Sequence, residues 1–190
     1  MKARKSSLFA WCWSLLLVWL LPAQGVAGEL DHVSLVDDKL DSARPLRVQR
    51  FSTDNTDLGK PKHKDTARVV LESADDMLLV DIIEELRDAG FADVAEYDAK
   101  EAIDGAYYIL TGEITELNPG SQSSRVIWGF GAGKSRVCVS GKVSHDSGAT
   151  AGSFRTCAKS LGWGSSEEQL GSEVDRIGVS LGQFLADWAR

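Results

Sequence analysis

Two apolar spacings alternate along the chain, and they divide it into helices and strands. Ala74, Leu78, Ile82 and Leu86, with Met77 and Ile83 beside them, recur at helical spacing and make one stripe that stops at Gly90. Ser73-Ala-Asp-Asp76 reads as a capping-box-like start, although Val69-Val70-Leu71 also fits the stripe and leaves a start as early as Thr66 open. A second stripe runs through Leu170, Val174, Ile177, Leu181, Leu185 and Trp188, behind the cap Ser165-Ser-Glu-Glu168. Gly171, Gly178 and Gly182 weaken that helix by up to about 1 kcal/mol each relative to Ala. On the sequence alone they mark a close approach of its backbone to a sheet.

The remaining apolar residues alternate. Strands are expected over Pro45–Ser52, Ala92–Tyr97, Ala106–Leu117, Arg136–Ser144 and Ser153–Ser160. Thr53–Lys64 is loop, Asn118-Pro119-Gly120 turns the chain, and Asp146-Ser147-Gly148-Ala149 joins a hairpin. Residues 28–44 are polar, acid-rich and weakly patterned, and are read as a leader. The order β-α-β-β-β-β-α predicts a single α+β domain over residues 45–190, a mostly antiparallel sheet with two helices packed on one face.

The N-terminus sets the expected compartment. Lys2, Arg4 and Lys5 precede an apolar run over Leu8–Leu21, Pro22 ends it, and Ala23, Gly25, Ala27 and Gly28 follow. That is the layout of a secretory signal peptide over residues 1–27, cleaved near Ala27, and it predicts a periplasmic protein. Retention as an anchor is the alternative, but the run is shorter than the roughly 20 apolar residues of a spanning helix. Cys12 sits between Trp11 and Trp13 inside the apolar core, the wrong place for lipidation, which leaves membrane association open. Losing Lys2, Arg4 and Lys5 takes the formal charge from −7 to −10. Such an acidic domain is repelled by nucleic acid, so a nucleic-acid partner is not expected.

Removal of the signal leaves Cys138 and Cys157. Centring the hairpin on Ser147-Gly148 places these two opposite each other, on the polar side of both strands. A structural disulfide is expected, since directly opposed residues lie at bonding distance and an exported protein meets oxidising conditions. Closing a loop of that size is worth roughly 3 kcal/mol. A metal site would need further ligands, and His32, His63 and His145 are scattered. A redox centre would show Cys-x-x-Cys.

Gly129–Ser135 reads GFGAGKS and imitates a phosphate-binding loop. The motif needs a glycine five residues before Gly133-Lys134-Ser135, and Trp128 stands there. The motif should also open a helix, whereas Ser135 leads into a strand pattern. Neither nucleotide nor other cofactor is therefore expected. Glu113 and Glu116 lie on one strand with opposite parity, so they do not read as a facing acid/base pair. No catalytic residue and no metal ligand is assigned, and an enzyme is not expected.

With those segments in place, the chain resembles the bacterial exported family catalogued as domain of unknown function 4410. The matching stretches are Leu110-Thr111-Gly112-Glu113-Ile114, Pro119-Gly120-Ser121, the glycine motif Gly129, Gly131, Gly133 and Lys134, and the Asp146-Ser147-Gly148 turn. The helix before Gly90-Phe91 fits the family's pattern as well. The likeness spans roughly residues 45–185. It implies an exported protein, often an envelope lipoprotein, with no established activity, and this chain lacks the lipidation cysteine. The expectation is a non-enzymatic periplasmic module that binds another cell-envelope component. The alternative is a binder of a small ligand, a saccharide or lipid fragment, through Trp128, Trp163 and the glycine segment.

Overall fold

The computed structural model describes residues 30–120, 134–159 and 165–190. The signal segment, Trp128, Gly129, Gly131, Gly133 and Trp163 lie outside the described residues. The elements are β1 (His32–Leu35), β2 (Leu46–Val48), α1 (Lys64–Asp88), β3 (Val94–Glu96), β4 (Tyr108–Asn118), β5 (Arg136–His145), β6 (Thr150–Lys159) and α2 (Ser166–Trp188). The six strands form one sheet in the order β1-β6-β5-β4-β2-β3.

The fold is α+β, and its sheet is mixed. β1, β6, β5 and β4 pair antiparallel, while β2 lies parallel to both β4 and β3. A parallel pair needs a long crossover, and α1 supplies it between β2 and β3. The strand order in sequence gains β1, which pairs with β6 from within the segment read as a leader. All four of its residues are exposed.

The two helices share one face of the sheet, α1 over β3 and β4, α2 over β5 and β6. Their stripes face inward: Ala74, Leu78, Ile82 and Leu86 of α1 are fully buried, as are Leu170, Val174, Leu181 and Leu185 of α2. They close on Leu46, Val48, Leu110, Ile114, Leu117, Val137, Val139 and Val143 from the sheet. Removing that much apolar surface from water is the main force holding the layers together.

α1 starts a full two turns before the Ser73 cap that the sequence suggested. Pro61 opens a short 3-10 turn (Pro61–His63), and the buried stripe begins at Ala67 and Val70. Ser73 is interior, its hydroxyl donating to the Val70 carbonyl at 3.3 Å. α2 does carry the expected box: the Ser165 hydroxyl accepts from the Glu168 N–H, and the Glu168 carboxylate accepts from the Ser165 N–H.

The glycines of α2 face α1 rather than the sheet. A Cβ at Gly178 would lie 2.6 Å from Asp81 Cβ, and one at Gly182 would lie 2.4 Å from Glu85 Cβ. Gly171 has room, its nearest neighbour being Met77 Cε at 4.0 Å. Two glycines one turn apart thus form a notch that receives the stems of Asp81 and Glu85. Helical spacing reveals that the two share a face, but not which neighbour that face meets.

Candidate functional site

The β5–β6 hairpin reaches the expected cysteine register by an unexpected route. Gly148 adopts φ +85°, its N–H donating to the His145 carbonyl at 2.9 Å, while the His145 N–H donates to Ala149 at 2.8 Å. This is a three-residue loop, not a two-residue turn. Ser144 accordingly pairs with Thr150, and the register then shifts to Val143 opposite Gly152, bulging Ala151. The extra residue in the loop and the extra residue in the bulge offset each other. Cys138 therefore faces Cys157, and the two sulfurs are bonded with 4.1 Å between Cα atoms.

A polar surface surrounds the disulfide on the sheet face opposite the helices. Across the strands, Glu116, Cys138 and Cys157 form one row, and Glu113, Ser140 and Arg155 form the next. Arg136 directs Nη2 at Cys157 Sγ, 3.3 Å away, and Nη1 at Glu116 Oε2, 3.5 Å away. The Ser140 hydroxyl donates to Glu113 Oε1 at 3.1 Å. Cys138 is fully buried beneath these groups, and Cys157 is half-buried.

Glu113 and Glu116 share this face, which corrects the parity read from the sequence. The register of β4 against β5 slips between Ile114 and Glu116, leaving Thr115 as a bulge. One unpaired residue reverses the alternation, so side chains three apart point the same way. The Thr115 hydroxyl donates to the Cys138 carbonyl at 3.2 Å. Nothing in the local residue types signals the slip. The two carboxylates nonetheless have separate partners, one an arginine and one a serine.

Lys134 is exposed at the entry to β5, and it is the one residue of the family glycine motif among the described residues. Ser135, next to it, turns inward instead. It is fully buried, and its hydroxyl donates to Glu173 Oε1 of α2 at 2.7 Å. In a phosphate loop the equivalent hydroxyl faces a nucleotide and its metal, whereas here it is committed to a helix carboxylate. Arg136–His145 then continues as strand, as expected from the pattern after Lys134. Glu173 had a readable signal: it lies three residues after Leu170 and four before Ile177, a carboxylate on the buried stripe of α2.

The Leu110–Ile114 stretch also has a local explanation. A Cβ at Gly112 would meet the Phe51 ring at 2.3 Å and the Ser140 carbonyl at 2.8 Å. The sheet needs glycine there because Phe51, 2% exposed, lies across that position on the helix side. Histidine is likewise placed: His145 Nε2 lies 2.9 Å from Asp37 Oδ2, while His32 is exposed on β1. His63 precedes α1, and burial together with Lys62 and Lys60 lowers its pKa. Among the described residues, no group of three or more His, Cys, Asp or Glu is arranged to hold a metal ion.

Comparison with solved structures gives distant likenesses. A PelC dodecamer from Paraburkholderia phytofirmans aligns with 80% of this chain and 96% of its own at 16% identity and a TM-score of 0.46. A single-residue variant of the same protein gives the same coverage and identity with a TM-score of 0.47. An uncharacterized protein follows, at 10% identity and a TM-score of 0.45 over 80% of this chain and 94% of that one. No curated protein matches the sequence. The family model does match, over residues 38–174, and the chain belongs to the family described as Domain of unknown function (DUF4410).

Proposed function

We propose that this protein is an exported, non-enzymatic periplasmic module that binds another component of the cell envelope. The observation that carries the reading is the Cys138–Cys157 disulfide, set between directly opposed residues of neighbouring strands. Such bonds persist in oxidising compartments and are rare in the reducing cytosol. The basic, apolar and small-residue order of the first 27 residues supports the same compartment. The helix-free polar face is a surface for contact, since its charged rows are held by Arg136, Glu116, Glu113 and Ser140.

The test is photo-crosslinking in intact cells from reactive side chains placed at Lys142 and Arg155, exposed on that face. Recovery of one envelope protein, from the periplasmic fraction and with no free thiols on the chain, is the expected outcome. Two free thiols in freshly quenched protein, or a cytosolic chain, would overturn the compartment. Crosslinks confined to abundant bystanders would overturn the binding role.

A further inference from the structure

The outer edge of β1 is built to accept another strand. Among the described residues β1 pairs on one side only, with β6, and it forms the end of the sheet. The two helices pack on β6, β5, β4 and β3, with β2 between the last two, and so leave β1 as the strand at the margin of the helix layer. β1 overhangs. Val33 and Leu35 stand on the helix side, opposite Phe154 and Gly152, yet they are 37% and 45% exposed, and the following Val36 is 70% exposed.

The backbone points the same way. The Val36 N–H donates inward to the Ala151 carbonyl at 2.8 Å. Inward and outward groups alternate along an antiparallel ladder, so the N–H and C=O of Val33 and Leu35 point away from β6. An open edge with exposed alternate aliphatics is the geometry used in strand addition, where backbone bonds give affinity and side-chain positions give specificity.

Charge decides the occupant. Asp31 is exposed just before the strand and Asp38 in the bend that follows it, with Asp37 held by His145. The nearby Lys39 is turned to the Arg190 carbonyl. A second copy is disfavoured, because antiparallel self-pairing through Val33 and Leu35 brings Asp31 of each copy beside the Asp37–Asp38 bend of the other, and like charges brought together destabilise a pair. We infer that the β1 edge docks an extended segment of a different protein, apolar at alternate positions and basic at its ends. This deepens the binding reading above and rests on it.

The experiment uses the exported chain and the blocked peptide Lys-Thr-Val-Thr-Val-Thr-Lys, with a glutamate-ended version and a version N-methylated at its valines as controls. Binding is followed by fluorescence anisotropy, and hydrogen exchange is followed at Val33 and Leu35. The lysine-ended peptide is expected to bind at least about tenfold more tightly than either control, a difference of about 1.4 kcal/mol, and to weaken with salt. Its binding should slow exchange at both amides.

Asp31→Lys with Asp38→Lys should reverse the preference between lysine and glutamate ends. Val33→Pro should abolish binding while leaving the melting temperature within a few degrees, because proline is tolerated where an edge N–H points outward. Equal affinity for all three peptides would overturn the proposal, and so would amides already protected in the free chain by its own residues 1–29 or by a second copy. An envelope partner crosslinked equally well to the Val33→Pro chain would overturn the edge while leaving the binding role standing.

Discussion

Carboxylates enter tightly packed regions at two places in this molecule, and their surroundings differ. Beside the disulfide, Glu116 lies 3.5 Å from Arg136, and behind it Glu173 accepts from Ser135 at 2.7 Å. In the seam between α1 and α2, Asp81 is pressed against Gly178 with Oδ2 buried and no hydrogen-bond partner among the described residues. Burial first, and then Asp175, Glu84 and Glu85, push its pKa up to about 6. Burial raises Asp175 across the seam as well. The sheet side supplies a donor or cation for each acid. The helix seam takes close packing instead and leaves the charge uncompensated.

That contrast can be broken most severely at the disulfide. Cys138→Ala with Cys157→Ala, or reduction, is expected to cost about 3 kcal/mol in urea unfolding. A loss below about 1 kcal/mol would mean that the bond adds little to a register already held by packing. Ser135→Ala comes next. It strips a donor from a buried carboxylate and should cost about 2 kcal/mol, and Ser135→Thr, which keeps the hydroxyl, should recover much of it.

In the seam the expected effects are smaller and of mixed sign. Gly178→Ala sets the clash with Asp81, worth roughly 1–3 kcal/mol, against a helix-propensity gain of about 1 kcal/mol. The net is a loss near 1 kcal/mol. Gly171→Ala, where there is space, should stabilise by up to about 1 kcal/mol. Equal shifts for the two glycines in thermal melts would mean that the notch is not tight.

The gentlest change is Asp81→Asn. The folded pKa of Asp81, near 6, lies above the unfolded value of about 3.9. The folded state therefore binds the extra proton, and that stability is present in full below about pH 4 and is lost as pH rises through about 6. Asp81→Asn should flatten this slope. It should gain up to about 1 kcal/mol over the parent at pH 7.5, allowing for solvent screening of a half-buried group, and nothing at pH 4. Parallel stability curves for the two proteins across that range would refute the shift.

How far these regions could be read from residues follows from which forces leave a pattern. Burial leaves a period, so the stripes through Leu78 and Leu181 and the alternation around Val137 and Val139 could be placed. Cys138 and Cys157 could be paired because loop and bulge displace the register by compensating amounts. The bulge at Thr115 left no trace, since a backbone slip changes no residue type, and with it went the shared face of Glu113 and Glu116. β1 was missed because its alternation amounts to Val33 and Leu35 alone, too short a pattern to stand out inside an acid-rich segment. The parallel placement of β2 between β4 and β3 depends on contacts far apart in sequence, which no local window contains. Ser135 was read within GFGAGKS, whereas its role is set by Glu173, 38 residues away.

The last turn of α2 reaches back to the start of the described chain. Trp188 donates its indole N–H to the Asp37 carbonyl at 3.1 Å and accepts from the Leu40 N–H at 3.1 Å. The ring of Trp188 also stacks on Phe184 and lies against Gly152. This clasp closes the polypeptide into a loop in space. A circular permutant opened at the exposed Asp146–Gly148 turn, with residue 190 joined to residue 30 by a linker that runs back along β1, would keep both layers connected. A bulky fusion placed after Arg190 would instead sit by Lys39, past the C-terminal end of β1, so an affinity handle there would crowd that end of the sheet edge that a partner is inferred to use.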